Sequence, residues 1–368
     1  MKILLHDKVA AQIEVYIKES SFDYNSRLPS IESLAKTFSV SKAIMQKAVK
    51  ILCGKGIIEA RSGKGITVKT VLARPKKSKR VGLVILQPPA YVNKSKIYPG
   101  KVVDTVRHDL AKAGYKLEIF SLENVEALTI AETVRKARFD GLILLEVDND
   151  YLVRELRGHQ LPIVSMDYDA FRLGVSSVCF DNTTGTFDAV DHLIRVGHRH
   201  ITFMLPNLTW QTPGTNPYLN KVQDERIIGY RLAMHHAGLV QRIFEYTRWD
   251  TRSQLLEVFG PRPAPTALVF VDDIQAETII RLAADMGFRI PEDISVAGFG
   301  DSGREYAPGR RLASVRVDMT GMGAAAARLL LDEMAVGERR LKRIILPVEF
   351  IPGDSIAQII ETNVTKGM

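Results

Sequence analysis

The 368-residue chain has little cysteine, no long apolar run and, in its first 80 residues, few acidic side chains. Its two cysteines, Cys53 and Cys179, stand in no CxxC or Cys/His spacing, which argues against a disulfide framework or a zinc site and predicts two small apolar fillers. No stretch approaches the ~18 apolar residues of a membrane-spanning helix, and the first twenty residues are polar and periodic, unlike a signal peptide. A cytoplasmic location without membrane contact is therefore expected. No Walker loop, G-x-S-x-G or nucleophile–base pair occurs, so no catalytic residue and no cofactor is expected, and the chain reads as a non-enzyme. His198 and His200 lack an acidic or cysteine partner at metal-binding spacing, so no metal is expected either. Thr320-Gly321-Met322-Gly323 mimics a dinucleotide fingerprint, but it lies in the last 50 residues instead of an opening βαβ unit; close helix packing is the better reading. What remains is ordinary globular composition, 46% apolar and 25% charged, at a length that suggests two or three folding units.

The charge is unevenly spread. Residues 1–80 hold 17 Lys/Arg against 6 Asp/Glu, and the remaining 288 hold 33 against 36. A net charge of +8 thus belongs to one end, where it would concentrate a polyanion, attached to a mildly acidic body.

The basic end has a readable order. A first helix is predicted from Asp7 as N-cap through Val9, Ile13, Tyr16 and Ile17, stopping before the turn formers at residues 22–26. Leu28-Pro29-Ser30 opens a short second helix capped by Ser30 and ending near Phe38. Ser41 caps a third, from Lys42 to about Cys53, with Ile44, Ala48, Ile51 and Leu52 inward and Lys42, Met45, Gln46, Lys47 and Lys50 outward. Ile57 to Ala60 and Ile66 to Val68 read as two strands joined at Arg61-Ser62-Gly63-Lys64-Gly65. Helix, short helix, turn, basic helix and hairpin form the layout of a winged helix-turn-helix. A duplex major groove admits one helix, a capped helix start offers N–H groups to phosphate, and hairpin glycines allow close approach. Arg27, Ser30, Ser41, Lys42, Gln46, Lys47, Lys64 and Gly65 are the candidate DNA-contacting residues.

These residues resemble GntR-type winged-helix repressors across almost all of residues 5–70, through Leu28-Pro29-Ser30, Leu34-Ala35, Phe38, Val40-Ser41, Ala48, Leu52, Gly56-Ile57, Gly63, Gly65 and Val68. The resemblance implies that Ser41, Lys42 and Gln46 face the operator and that Gly65 lies at the wing tip. Glu32 and Gln46 stand where many members have Arg, and Lys42 replaces another. A glutamine can read adenine through N6 and N7, whereas a glutamate would repel phosphate. The operator sequence is therefore not transferable from other members.

Residues 72–80 carry five positive charges and one proline and read as a basic linker between residues 1–71 and 81–368. From Val81 the texture becomes that of an α/β fold. Apolar runs at Val81 to Leu86, Leu117 to Phe120, Gly141 to Leu145, Ile163 to Met166, Ile201 to Leu205, Ala267 to Val271, Ile294 to Gly298 and Ile344 to Val348 alternate with helical patterns near 99–113, 125–137, 182–196, 223–237, 274–286 and 319–335. Such alternation predicts parallel sheets, and about 290 residues suffice for two lobes. Ligands in such sheets bind beyond the carboxyl ends of strands, where Asp167, Asp272-Asp273 and Asp301 fall; Arg226 opens a helix. Acceptors and a forked donor in one cleft would satisfy a polyhydroxylated ligand. Each Asp taken singly is better explained as a helix N-cap, Asp273 in particular reads as structural, and only as a set do they point to a ligand.

The second part, from Lys79 to about Ala357, resembles the effector-binding domain of LacI/GalR-type repressors, a two-lobed periplasmic-binding-protein-like fold. The carrying motifs include Val81-Gly82-Leu83-Val84, Phe139-Asp140-Gly141-Leu142, Asp181-Asn182-Thr183-Thr184-Gly185, Glu225-Arg226-Ile227-Ile228-Gly229-Tyr230, Ile290-Pro291-Glu292-Asp293-Ile294 and Leu346-Pro347-Val348. With a GntR head this is the hybrid arrangement of the arabinose-repressor type. The resemblance implies a homodimeric repressor of double-stranded operator DNA, with a sugar effector contacted by Tyr98, Asp167, Arg226 and Asp272. One departure stands out: the family's Gly-aromatic-Asp-Asp is here Gly298-Phe299-Gly300-Asp301. Either Asp301 compensates or the ligand differs from a typical sugar. The alternative is a DNA-binding regulator whose effector domain is degenerate or answers a non-sugar ligand. A transport binding protein would share the fold but needs a signal peptide, and a sugar-modifying enzyme leaves the basic head unexplained.

Overall fold

A computed structural model describes residues 4–19, 22, 26–61, 65–69, 78–85, 98–121, 127–158, 161–206, 221–246, 251–259, 263–301, 303, 305–336 and 341–359. The chain divides into two compact units, Met1–Lys79 and Arg80–Met368.

In the first unit, α1 (Leu5–Glu19), α2 (Ile31–Thr37) and α3 (Lys42–Gly54) stand with β1 (Arg27–Leu28), β2 (Ile58–Arg61) and β3 (Gly65–Val68), the strands ordered β1-β3-β2 and antiparallel. Asp7 does not cap α1, which begins two residues earlier; it lies in the first turn, where a carboxylate still favours the helix dipole. Ser30 and Ser41 are N-caps as expected, their hydroxyls accepting the Ser33 and Ile44 amides at 3.2 and 3.3 Å. Met45, expected outward, is fully buried with Ala48, Val49 and Leu52, while Ile44 and Ile51 are half-buried. The apolar set of α3 has two possible phases, and packing against Val9, Ala10, Ile13 and Ile17 of α1 selects the one through Met45.

The second unit holds two six-stranded sheets. The first lobe comprises β4 (Arg80–Ile85), β5 (Lys116–Ser121), β6 (Gly141–Leu145), β7 (Ile163–Met166), β8 (Ser176–Phe180) and, returning late, β16 (Arg343–Leu346), in the order β16-β8-β7-β6-β4-β5 and wholly parallel. Its helices are α4 (Gly100–Lys112), α5 (Ala127–Ala137), α6 (Asp150–Arg157) and α11 (Met319–Val336). The second lobe comprises β9 (Ile201–Pro206), β10 (Arg242–Tyr246), β11 (Ala267–Phe270), β12 (Ser295–Gly300), β15 (Ala313–Arg316) and β17 (Glu349–Ile351), ordered β10-β9-β11-β12-β15-β17. Only the β15–β17 pair is antiparallel. Its helices are α7 (Asn182–Arg195), α8 (Lys221–His236), α9 (Thr251–Phe259) and α10 (Asp273–Asp285), and β13 (Glu305–Ala307) with β14 (Arg310–Arg311) forms a small hairpin. The chain passes between lobes three times, after β8, β15 and β16, so both lobes are built from separated segments.

The apolar strand runs are buried on both faces, as fully parallel strands require: all of β6 and β7 is buried, with separate cores on the two sides of the first sheet. The glycine-rich segment at 321–323 lies in α11, where a Cβ on Gly323 would stand 2.6 Å from the Val102 carbonyl of α4. Close helix contact, not nucleotide binding, accounts for it. In the second unit the helices α6 and α9 and the strands β8, β10, β13, β14 and β17 are not predicted from the sequence.

Candidate functional site

On the head, Lys42, Gln46, Lys47 and Lys50 occupy the exposed side of α3, with the capped start of the helix beside them. Lys42 is not a free cation: its Nζ is 2.6 Å from Glu32 Oε1 on α2, and that hydrogen bond lowers the Glu32 pKa. Gly65 pairs with Arg61 at the turn end of the β2–β3 hairpin, and Arg27 reaches it there. Gly65 has φ +82°, and a Cβ there would lie 3.0 Å from Arg27 Nε, so a glycine keeps the guanidinium against the backbone. Lys64 lies outside the described residues.

In the second unit, the carboxyl ends of β6, β7 and β11 each lead directly to an acid or a short turn bearing one. Asp167 follows β7 in the left-handed region at φ +69° and is buried, and its Oδ2 accepts the Tyr98 hydroxyl at 3.0 Å. Burial raises the Asp167 pKa, against the opposing pull of Arg226 and the Tyr98 hydrogen bond. Asp272 is the N-cap of α10, accepting the Gln275 amide at 2.7 Å, and burial likewise raises its pKa while Arg226 lowers it. The N-cap reading and the site reading of Asp272 are therefore compatible.

Arg226, one turn into α8, is the shared countercharge. Its Nε donates to Asn182 Oδ1 at 3.0 Å, its Nη1 donates to the Val271 carbonyl, and its plane lies 3.8 Å from the centre of the Phe299 ring. These three contacts fix the guanidinium in orientation while Nη2 makes no hydrogen bond to a described residue. A fork held this way is a preorganised donor. Tyr98, Asp167, Arg226 and Asp272 are thus electrostatically joined, as Arg226 feels both aspartates and Tyr98.

Asp301 does not join them. Its carboxylate lies 2.6 Å from Arg316 Nε and 3.4 Å from Arg311 Nη2, so two arginines of the second lobe hold it. Nor could an acid stand at Gly300 without backbone strain, because φ there is +125°. Asp273, buried and accepting the Ser314 hydroxyl at 2.6 Å, presses its carboxylate against this strand: a Cβ on Gly298 would meet its Oδ1 at 2.3 Å.

The structure adds residues to the set. Glu146 follows β6 as Asp167 follows β7, also in the left-handed region at φ +54°. Burial, with Asp167, Asp148 and Asp272 nearby, pushes its carboxyl up to about 8. The rule that selects Asp167, an acid directly after a buried apolar run, would have found it. Asn182 and Glu225 hydrogen bond to each other at 2.9 Å and brace Arg226; nothing in their spacing announces that pairing. His198 is buried, with Nδ1 2.9 Å from Thr266 Oγ1 and Nε2 3.1 Å from the Ala357 carbonyl, so both ring nitrogens serve the turn before β9.

The family comparisons match these two units. Residues 5–68 fit the model of bacterial regulatory proteins of the gntR family, and residues 190–356 that of the periplasmic binding protein-like domain. A gntR-family head precedes a periplasmic-binding-protein-like domain. The chain is a transcriptional regulator assembled from these parts. It is 25% identical over 345 residues to the arabinose metabolism transcriptional repressor of Halalkalibacterium halodurans, covering 88% of each chain. The arabinose metabolism transcriptional repressor of Geobacillus stearothermophilus is 25% identical over 332 residues, 84% of this chain and 85% of that one. Among solved structures, the regulator CelR in complex with cellobiose aligns with a TM-score of 0.64 and 21% identity over 89% of this chain and all of that one. A LacI-family regulator from Enterococcus faecium with bound ribose aligns at 0.62 and 20%, over 76% of this chain and all of that one. At that identity the two structures speak for the two-lobed fold. No helix among the described residues is long and apolar enough to cross a membrane.

Proposed function

We propose that the chain is a cytoplasmic, homodimeric repressor that binds operator DNA through residues 1–71, tethers that head by residues 72–80, and senses a polyhydroxylated small molecule, a sugar or sugar derivative, through residues 81–368. The observation that carries the sensing half is the fixed Arg226 fork between Asp167 and Asp272 at the strand ends, with Tyr98 on Asp167. Such a set offers acceptors and a donor in fixed positions, which is what binding of a hydroxyl-rich ligand needs. The arabinose repressors and the sugar-bound structural neighbours support the same ligand class. In the head, Gln46 would read a base edge, while Arg27, Lys42, Lys47 and Lys64 meet phosphates and Ser30, Ser41 and Gly65 bring backbone close to the duplex.

A ligand that prefers one lobe arrangement shifts the population toward it, and the head spacing of a dimer on a two-fold operator converts that shift into affinity. Titration calorimetry of the full chain against a panel of pentoses, hexoses and disaccharides tests the sensing half; at least one member should bind and change operator affinity. No binding across the panel would favour the second reading, a regulator with a non-sugar or degenerate effector domain, to which the diversion of Asp301 to Arg311 and Arg316 already gives some weight. For the head, Gln46→Ala should cost about 1–3 kcal/mol at one base pair of an operator selected in vitro. Equal loss on random duplex would refute base reading.

A further inference from the structure

The two lobes are joined by a side-chain contact that the sensing residues do not need. Lys221 is the first residue of α8, a helix whose Tyr230, Ala233 and Met234 are buried in the core of the second lobe. Its Nζ lies 2.8 Å from Oδ1 of Asp150, the first residue of α6 in the other lobe, and 4.4 Å from the centre of the Tyr168 ring. It also donates to the Tyr168 hydroxyl, which in turn donates to Asp150. Tyr168 is buried in the first lobe's core. Three side chains from two lobes therefore close a triangle in which an ammonium is shared by a carboxylate, a phenol and an aromatic face. Burial raises the Asp150 pKa, but the hydrogen bonds from Lys221 and Tyr168 outweigh it and the net shift is downward, so the carboxylate is ionised and paired.

We propose that Lys221 is a latch that holds the two lobes together in the absence of ligand. Its placement couples it to the sensing set at both ends. Tyr168 is the residue next to Asp167, and Lys221 lies on the same helix as Arg226, one and a half turns earlier. Any rotation that carries α8 away from the first lobe must break the Lys221–Asp150 pair and separate Arg226 from Asp167 in the same movement. Latch and ligand then favour the same lobe arrangement, and by reciprocity removing the latch weakens ligand binding as well as closure. The latch rests only on the two-lobed fold and needs no particular effector.

The test reads lobe separation directly in ligand-free full-length protein. Spin labels are placed at Arg154→Cys on α6 and Arg281→Cys on α10 in a Cys53→Ala, Cys179→Ala background, and inter-label distances are measured by pulsed dipolar spectroscopy. Lys221→Ala and Asp150→Asn should each raise the ratio of wide to narrow separations about two- to fivefold, the range expected of a half-exposed ion pair. Combining them should add little, because either change already breaks the pair; Lys221→Arg should retain the narrow distribution. Asp150→Asn keeps shape and hydrogen-bonding capacity, so it guards against a folding defect in the alanine variant. Unchanged distributions in both single variants, or effects that simply add in the double, would overturn the latch. A sugar panel that fails to bind would leave this result untouched.

Discussion

On the head, Lys42, Gln46, Lys47 and Lys50 stand in solvent on one side of α3, whereas Asp167, Arg226, Asp272 and Glu146 of the second unit are gathered where burial governs their ionisation. Polar and charged side chains are thus put to opposite use in the two units. Solvated cations act on a polyanion collectively, through counterion release that salt weakens. Desolvated groups act singly and in fixed directions, and each is tolerated only because another faces it. Apart from the base-reading Gln46, the head should therefore respond to salt and little to single truncations, while the cleft should respond to single truncations and to pH.

The largest expected effect lies in the cleft. Arg226→Ala would leave Asp167 and Asp272 with Glu146 and no cation among them, and would also empty the space over the Phe299 ring. Leaving these desolvated carboxylates without their countercharge costs on the order of 1–3 kcal/mol, which denaturant unfolding at pH 7 would register. Effector response should vanish while operator affinity of the folded protein stays within twofold of the parent. Loss of operator affinity in step with stability would erase the division between the units. Arg226→Lys should not restore the response, since a point charge cannot reproduce the contacts to Asn182, Val271 and Phe299 at once.

A pH experiment sharpens the same contrast. The Glu146 carboxyl is pushed from its ordinary 4.5 up to about 8, so between those values the folded protein keeps a proton that the unfolded chain has released. The folded state binds more protons there, and stability falls as pH rises through that window. Glu146→Gln removes the penalty. The variant should melt with the parent near pH 4.5 and several degrees above it at pH 8, given that about 1 kcal/mol moves a domain of this size by roughly 2–4 °C. Parallel melting curves at both pH values would mean that the cleft does not hold Glu146 protonated.

How much of this was legible beforehand differs between the units for a physical reason. The head is written in local signals, namely serine caps, turn glycines and an apolar stripe, and the residues of its outward face could be named from spacing apart from Met45. There a stripe through Ile44 and Ile51 and one through Met45 and Val49 look equally apolar, and only the surface of α1 decides between them. Parallel strands bracketed by helices announced the α/β unit, and the first position after a strand pointed to Asp167 and Asp272. The β8 strand was hidden because it begins with the buried polar residues Ser176 and Ser177, and the partner that satisfies Ser176, Glu333 on α11, is far away in sequence. Asn182 as brace, Phe299 as platform and Lys221 as bridge escaped for the same reason. Their partners lie 44, 73 and 71 positions away, and no periodicity connects them.

The smallest expected effect is on the head, and it probes whether the face of α3 acts as a sum of charges. Glu32 is exposed and spends itself on Lys42, an ion pair across α2 and α3 that removes one cation from the surface presented to phosphate. Glu32→Gln keeps the side chain's length and frees the ammonium. Stability should scarcely move, because an exposed pair contributes little. Binding to random duplex, however, gains one effective phosphate contact, so the slope of log affinity against log salt should steepen by about 0.9 and affinity at 50 mM salt should rise relative to 200 mM by about threefold more than in the parent. If the gain appears only on the selected operator and the salt slope is unchanged, Glu32 is instead positioning Lys42 for one base or one phosphate. The outward face of α3 would then resemble the cleft in working through fixed partners, and the contrast between the units would be one of burial alone.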